Sequence, residues 1–198
     1  MDRPRLFDGP IVVLDTETTG FERERTAAPV ELGAVLLDPH GVGVACFSSL
    51  IRPAVDDERH DSTWSWHATR KTGLTRSLVA QAPHYRDVVS AFVEWLACWG
   101  HPPLTAFNVG FDRPMLARIG FDVPAERWAP CIMLAACDVM GEAGALPAGR
   151  YGGWKWPTAE EAMQHFGVKG EHRHRALADA RDEAAILVAL RRAVRADD

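Results

Sequence analysis

Five residues of this chain have the types and spacing to do chemistry together: Asp15, Glu17, Asp112, His174 and Asp179. The first two close the run Ile11-Val12-Val13-Leu14-Asp15-Thr16-Glu17-Thr18-Thr19-Gly20, in which four apolar residues precede two carboxylates and a glycine turn. Alternate residues of a strand point to the same side, so Asp15 and Glu17 share a face and Thr16 points away. Carboxylates set side by side resist joint ionisation unless a cation lies between them, and hard oxygen ligands in that arrangement suit magnesium or manganese. A polar turn with threonine caps is the non-catalytic reading of the same residues. Asp112 ends a second acid-bearing segment, Asn108-Val109-Gly110-Phe111-Asp112, and Asp179 lies in a third, with His174 five residues before it. Imidazole as a side-chain type titrates near neutrality, which suits it to take a proton from water. Residues five apart on a regular helix lie about 140° apart around its axis. His174 and Asp179 therefore cannot share a helix face, and His174 is expected on the loop before the helix.

These groups need elements to position them. The apolar start of the first run lacks alternation and reads as a central strand covered on both faces. Val30 to Leu37 and Val44 to Ile51 are a second and third strand with Asp38-Pro39-His40-Gly41 turn chemistry between them, an antiparallel meander. Arg52-Pro53 ends the third strand, and Asp56 to Arg70 reads as a charged loop carrying Trp64 and Trp66. From Tyr85 to Trp99, Val88, Val89, Phe92, Val93, Leu96 and Trp99 recur at helical spacing. Pro102 and Pro103 break that helix, and Leu104 to Phe107 forms a short strand. Helices are expected at Arg113 to Ile119 and at Ile132 to Met140, the latter stopped by Gly141. Residues 141–157, rich in glycine, proline and tryptophan, read as an ordered loop. A helix from Thr158 to Phe166 follows, then an alanine-rich helix to about Ala193. The pattern gives one domain over residues 1–198 of α/β class, a mixed central sheet flanked by helices.

At 198 residues and 47% hydrophobic, the chain can bury a full core, and nothing in its composition suggests disorder or a membrane span. A formal charge of -5 argues against coating nucleic acid through a broad basic surface. It leaves room for one local site where bound cations neutralise an acidic cluster and meet a phosphate. No apolar run follows Met1-Asp2-Arg3-Pro4-Arg5, so no secretory signal and a cytoplasmic location are expected. Cys46, Cys98, Cys131 and Cys137 form no Cys-x-x-Cys pair and read as buried thiols.

Taken together, Asp15-Thr16-Glu17-Thr18-Thr19-Gly20, the segment Asn108 to Asp112, and His174-Arg175-Ala176-Leu177-Ala178-Asp179-Ala180 resemble, in order, the three motifs of the DnaQ-like DEDDh 3′ to 5′ exonuclease superfamily. The resemblance runs from about residue 9 to residue 190. It implies a ribonuclease-H-like fold and metal-dependent release of nucleoside monophosphates from single-stranded or frayed 3′ ends, DNA favoured, with a role such as DNA repair. It also implies two Mg2+ or Mn2+ ions. Asp15 would bridge both, Glu17 and Asp179 would complete the first site, Asp112 would hold the second directly or through water, and His174 would be the general base. His172 is its rival by proximity.

By the same resemblance Thr18, Phe21, Asn108 and Phe111 are substrate contacts. Phe21 is suited to stack on the terminal base or to pack in the core. Asn108 can bond sugar or phosphate, or cap its turn. Thr72 stands where many members carry histidine, and Trp154 to Pro157 resembles a segment of some stand-alone members, its other reading being packing at the sheet edge. Arg23, Arg25, Arg113, Arg173 and Arg175 flank the motifs and can contact phosphates. The expected partner is nucleic acid with a free 3′ end, with no membrane, as monomer or homodimer. The chain ends soon after its last helix, which favours a free-standing nuclease over a polymerase proofreading subunit, and an RNA-trimming exoribonuclease is the other enzyme alternative. A catalytically silent nucleic-acid-binding module of the same fold is the non-enzyme alternative.

Overall fold

In the computed structural model, which describes residues 9–21, 24, 27–53, 66–150, 152–170 and 174–196, β1 (Ile11–Thr18) lies inside a four-stranded sheet of order β3-β2-β1-β4. β2 (Pro29–Leu37) and β3 (Gly43–Leu50) continue antiparallel from β1 as the expected meander, and β4 (Leu104–Thr105) joins the other edge of β1 in parallel. The helices are α1 (Trp66–Thr72), α2 (Arg76–Ala80), α3 (Tyr85–Cys98), α4 (Val109–Arg118), α5 (Ile132–Glu142), α6 (Ala159–Phe166) and α7 (Ala176–Ala196). This is the expected α/β class, a mixed sheet flanked by helices.

The period of two in β1 divides the core into two layers. Ile11 and Val13, with Val35 and Leu37 of β2, pack against α5, α6 and α7. Val12 and Leu14, with Leu32, Ala34 and Leu36, pack against Val88, Phe92 and Leu96 of α3 and Leu116 of α4. Apolar residues without alternation are what two covered faces demand, and all nine residues of β2 are buried for the same reason. Helix α6 begins in a reciprocal capping box, with Thr158 Oγ1 accepting from the Glu161 amide and Glu161 accepting from the Thr158 amide. It ends at Gly167 in the left-handed conformation, φ 67°.

Several expectations are corrected. β4 has two residues rather than four, because the carbonyls of Ala106 and Phe107 accept from Ile132 and Met133 of α5 instead of extending the ladder. Helix α4 starts at Val109, not Arg113, since the Asn108 carbonyl accepts from both Phe111 and Asp112 amides. Gly141 does not stop α5; it lies within the helix, and a Cβ there would run into the Trp154 indole, so glycine serves close approach rather than termination. Trp154 thus packs on α5 rather than at the sheet edge, and Trp154 and Trp156 are both exposed. The expected loop ends in α1, and its residues 56–65, Trp64 included, lie outside the described residues. All four cysteines are free, but Cys46 and Cys98 are exposed and only Cys137 is buried. Among the described residues no helix is long and apolar enough to cross a membrane.

Candidate active site

Asp15 and Glu17 stand side by side on the α7 face of β1, as their spacing requires, and Asp179 lies in the first turn of α7. Each offers a carboxylate oxygen, and the three oxygens lie within 4.8 Å of one another. Residues 162 positions apart in the chain meet because α7 sits directly on the sheet. A Cβ at Gly33 would collide with the backbone of Ala176 and Leu177, so only glycine lets the first turn of α7 come this close. Gly33 pairs with Asp15 in the ladder, and Glu31 pairs with Glu17. The buried Glu31 carboxylate accepts from Arg175 Nε at 3.0 and 3.1 Å, from Arg175 Nη2 at 2.6 Å, and from the Ala176 amide at 3.1 Å. This forked, charge-assisted clamp fixes the start of α7 beside β1. It also assigns Arg175 to Glu31 rather than to a phosphate.

Asp112 reaches β1 from its other edge. Among the described residues no strand covers that edge beyond Val13, because β4 ends at Thr105. The first turn of α4 fills the gap, and the buried Asp112 Oδ1 accepts from the Thr16 amide at 3.1 Å and from Thr16 Oγ1 at 2.7 Å. Thr16, which points away from Asp15 and Glu17, is therefore the residue that positions the fourth acid. Asp112 lies outside the tight group of three, yet its charge reaches the Asp15 carboxyl.

The electrostatics show the strain of this assembly. Burial, then the charges of Asp112, Glu17, Asp179 and Glu31, hold the Asp15 carboxyl well above the usual carboxylate range. Burial and then Asp179 and Glu31 push Glu17 to about 7, with Lys71 at the end of α1 pulling the other way. Burial pushes Asp112 to about 7 against the lowering effect of its Thr16 hydrogen bonds. A fifth acid, the buried Glu183 one turn further along α7, is raised in the same direction, first by burial and then by Asp15 and Asp112.

Raised carboxyls hold protons in the folded state that the unfolded chain, titrating near about 4, has already lost. Their contribution is fully present below the unfolded value and disappears as pH rises through about 7. The melting temperature of the metal-free protein is expected to fall by roughly 5 °C or more between about pH 5 and about pH 8. The fall should be smaller in Glu17→Gln, and added Mg2+ should oppose it. A melting temperature that rises across this window would remove the account.

His174 sits two residues ahead of α7, on the loop as the angular argument requires, with φ 47°. A left-handed backbone is uncommon for histidine, and the clamp on the next residue, Arg175, holds the chain on its far side. Its rival His172 lies outside the described residues, as do Arg23, Arg25 and Arg173. Among the expected substrate contacts, Thr18 Oγ1 donates to the Gly20 carbonyl at 2.7 Å and folds the turn that leads to Phe21. Phe21 is 53% exposed, so it is not a core residue. Asn108 occupies the N-cap position of α4 without a side-chain cap hydrogen bond, which leaves the capping role unfilled. Phe111 is half-buried. Thr72 Oγ1 accepts from the Leu74 amide. Sequence reasoning missed Glu31, Lys71 and Glu183. Glu183 had a legible signal in its four-residue spacing from Asp179, which places both on one face of a helix.

The RNase_T family, described as Exonuclease, matches residues 12–187. A DNA polymerase III PolC-type from Clostridium perfringens (strain 13 / Type A) is 28% identical over 186 residues, 91% of this chain and 11% of the polymerase. An uncharacterized exonuclease, CP81, of Escherichia phage 186 is 28% identical over 189 residues, covering 90% of this chain and 87% of the phage protein. Among solved structures, cell-death related nuclease 4 (CRN-4) superposes with a TM-score of 0.69 at 16% identity, over 92% of this chain and 63% of that one. The chain thus spans a small part of the polymerase and most of the phage protein, and its likeness to the solved nuclease is one of fold.

Proposed function

This chain belongs to the exonuclease family matched over residues 12–187 and, with it, to the DnaQ-like exonuclease superfamily; from that premise we propose a DEDDh-type, metal-dependent 3′ to 5′ exonuclease. Its reaction is release of nucleoside monophosphates from single-stranded or frayed 3′ ends, DNA favoured, by one domain over residues 1–198. The observation that supports this reading above others is the meeting of Asp15, Glu17 and Asp179 oxygens within 4.8 Å. The donor set is all hard oxygen, which fits Mg2+ or Mn2+. The elevated carboxyls of Asp15, Glu17 and Asp112 carry a mutual repulsion that cations would relieve.

In this reading Asp15 would hold both of two ions, Glu17 and Asp179 the first, and Asp112 the second, directly or through water. The chemistry that the pair supplies when bound is Lewis acidity toward water and the phosphoryl oxygens. His174 accepts the proton of the attacking water as general base. Phe21 offers its exposed ring to the terminal base, and Asn108, whose side chain makes no cap hydrogen bond, its amide to sugar or phosphate, with Thr18 and Phe111 as further contacts. A silent binding module has no need of converging acids whose repulsion costs stability.

The polymerase relative supports DNA over RNA and favours one second reading, proofreading within a polymerase assembly. The test is digestion of matched substrates in Mg2+ or Mn2+: linear single-stranded DNA labelled at either end, single-stranded RNA, duplex, and a closed circular single strand. Stepwise loss from the 3′ end of linear DNA, with the circle intact, is expected. Cutting of the circle at a rate comparable to the linear strand would overturn the exonuclease reading and point to an endonuclease on this fold.

A further inference from the structure

Glu183 is buried at 6% exposure, one helical turn from Asp179, and none of the roles above uses it. Its Oε2 accepts from the Phe107 amide at 3.2 Å. The Phe107 carbonyl in turn accepts from the Met133 amide at 2.8 Å and from the Cys131 thiol at 3.0 Å, so the Phe107 backbone is held through its amide by α7 and through its carbonyl by the start of α5. The next residue is Asn108, whose carbonyl accepts from the Asp112 amide at 3.1 Å. The Glu183 hydrogen bond and the covalent step from Phe107 to Asn108 therefore connect the helix that carries Asp179 to the turn that carries Asn108 and Asp112.

A buried amide left without an acceptor costs free energy, and a methyl-bearing side chain at position 183 would leave the Phe107 amide in that state. Placing a carboxyl here also has a cost, because it adds an acid near Asp15 and Asp112. Core filling alone gives no reason for that choice. Reach does: from one turn below Asp179, a side chain of glutamate length spans to the Phe107 amide.

We propose that Glu183 is a positioning residue of the metal site, which through the Phe107 amide fixes the Asn108 to Asp112 turn relative to Asp179 and so sets the affinity for the ion held by Asp112. The proposal rests on the metal-dependent reading above and deepens it. Partners of this kind, which orient ligands without touching the ion, typically change metal affinity by about tenfold to a hundredfold when removed.

The test is Mn2+ binding by isothermal titration calorimetry on the full chain, for the parent, Glu183→Gln, Glu183→Asp and Glu183→Met, with thermal melting alongside. Gln keeps the acceptor and the reach, so its affinity should stay within about threefold of the parent. Asp keeps the acid but shortens the reach, and Met fills the space without an acceptor. Both should weaken the lower-affinity Mn2+ by roughly tenfold or more and raise the Mn2+ concentration for half-maximal cleavage in parallel. If Met does not fold, Asp carries the comparison. Parent-like Mn2+ binding in Asp and in folded Met would overturn the proposal and leave the nuclease reading standing. Equal loss in Gln would overturn it too, since the acid rather than the reach would then matter. A parent that binds no Mn2+ would overturn the metal reading itself, and this proposal with it.

Discussion

Replacing Asp15 or Asp179 with alanine is expected to lower phosphodiester cleavage by about three orders of magnitude or more while the chain stays folded. The two residues come from opposite ends of the chain, and each contributes one of the three oxygens that converge within 4.8 Å. Removing either leaves a pair, and groups that act as a unit lose most of their effect when one is lost. The second half of the expectation follows from the electrostatics. The Asp15 carboxyl is already held well above its ordinary value by burial and by Asp112, Glu17, Asp179 and Glu31. Its removal relieves that repulsion, so the metal-free melting temperature should stay level or rise. Titration with Mn2+ separates this from unfolding, because a folded variant with weakened binding and no cleavage is the expected state. Full activity of the parent in a chelator, or of Asp15→Ala in Mg2+, would end the metal mechanism.

His174→Ala is expected to lower turnover by roughly two to four orders of magnitude, the range for loss of a general base. Metal and substrate binding should change little, because a base matters only where water loses a proton. The location supports a proton carrier held in place from one side. His174 lies just before α7, in a left-handed conformation, next to the Arg175 that is clamped to Glu31. His172→Ala should do far less. Equal effects of the two substitutions would mean that the base is misassigned.

The largest part of the sheet was legible in the chain because it is written in short-range pattern. A short apolar run rich in β-branched residues and without alternation reads as a strand covered on both faces, and β1 is that strand, with Asp15 and Glu17 on one face and Thr16 on the other. Turn chemistry at Asp38 to Gly41 predicts the antiparallel return, and the Asp38 side chain indeed accepts from the His40 and Val42 amides. Helical spacing marks α3, whose Val88, Phe92 and Leu96 are buried while Val93 and Trp99 remain exposed. The separation of five residues between His174 and Asp179 is enough, by angle alone, to place the histidine off the helix.

What the chain could not state in local terms was how its parts touch. Gly141 carries the composition of a helix stop, but the indole of Trp154 requires a bare Cα there, and the helix continues past it. Leu104 to Phe107 has the composition of a four-residue strand. Its last two carbonyls are taken by α5, which frees the edge of β1 for Asp112. Glu31 reads as one polar residue in an apolar strand, and only the packing of α7 over Gly33 makes it the anchor of Arg175. Local sequence pattern was enough to pick out Asp15, Glu17, Asp112 and Asp179, to put the first two on one strand face, and to say on which elements these acids ride, because periodicity and side-chain chemistry are properties of near neighbours. The tertiary structure alone decided that Asp179 meets Asp15 and Glu17, that Asp112 arrives across the open edge of β1, and that Glu183 is drawn in beside them. Those meetings depend on how closely one backbone can lie on another, and that is set by small residues and hydrogen-bond partners far away in the chain.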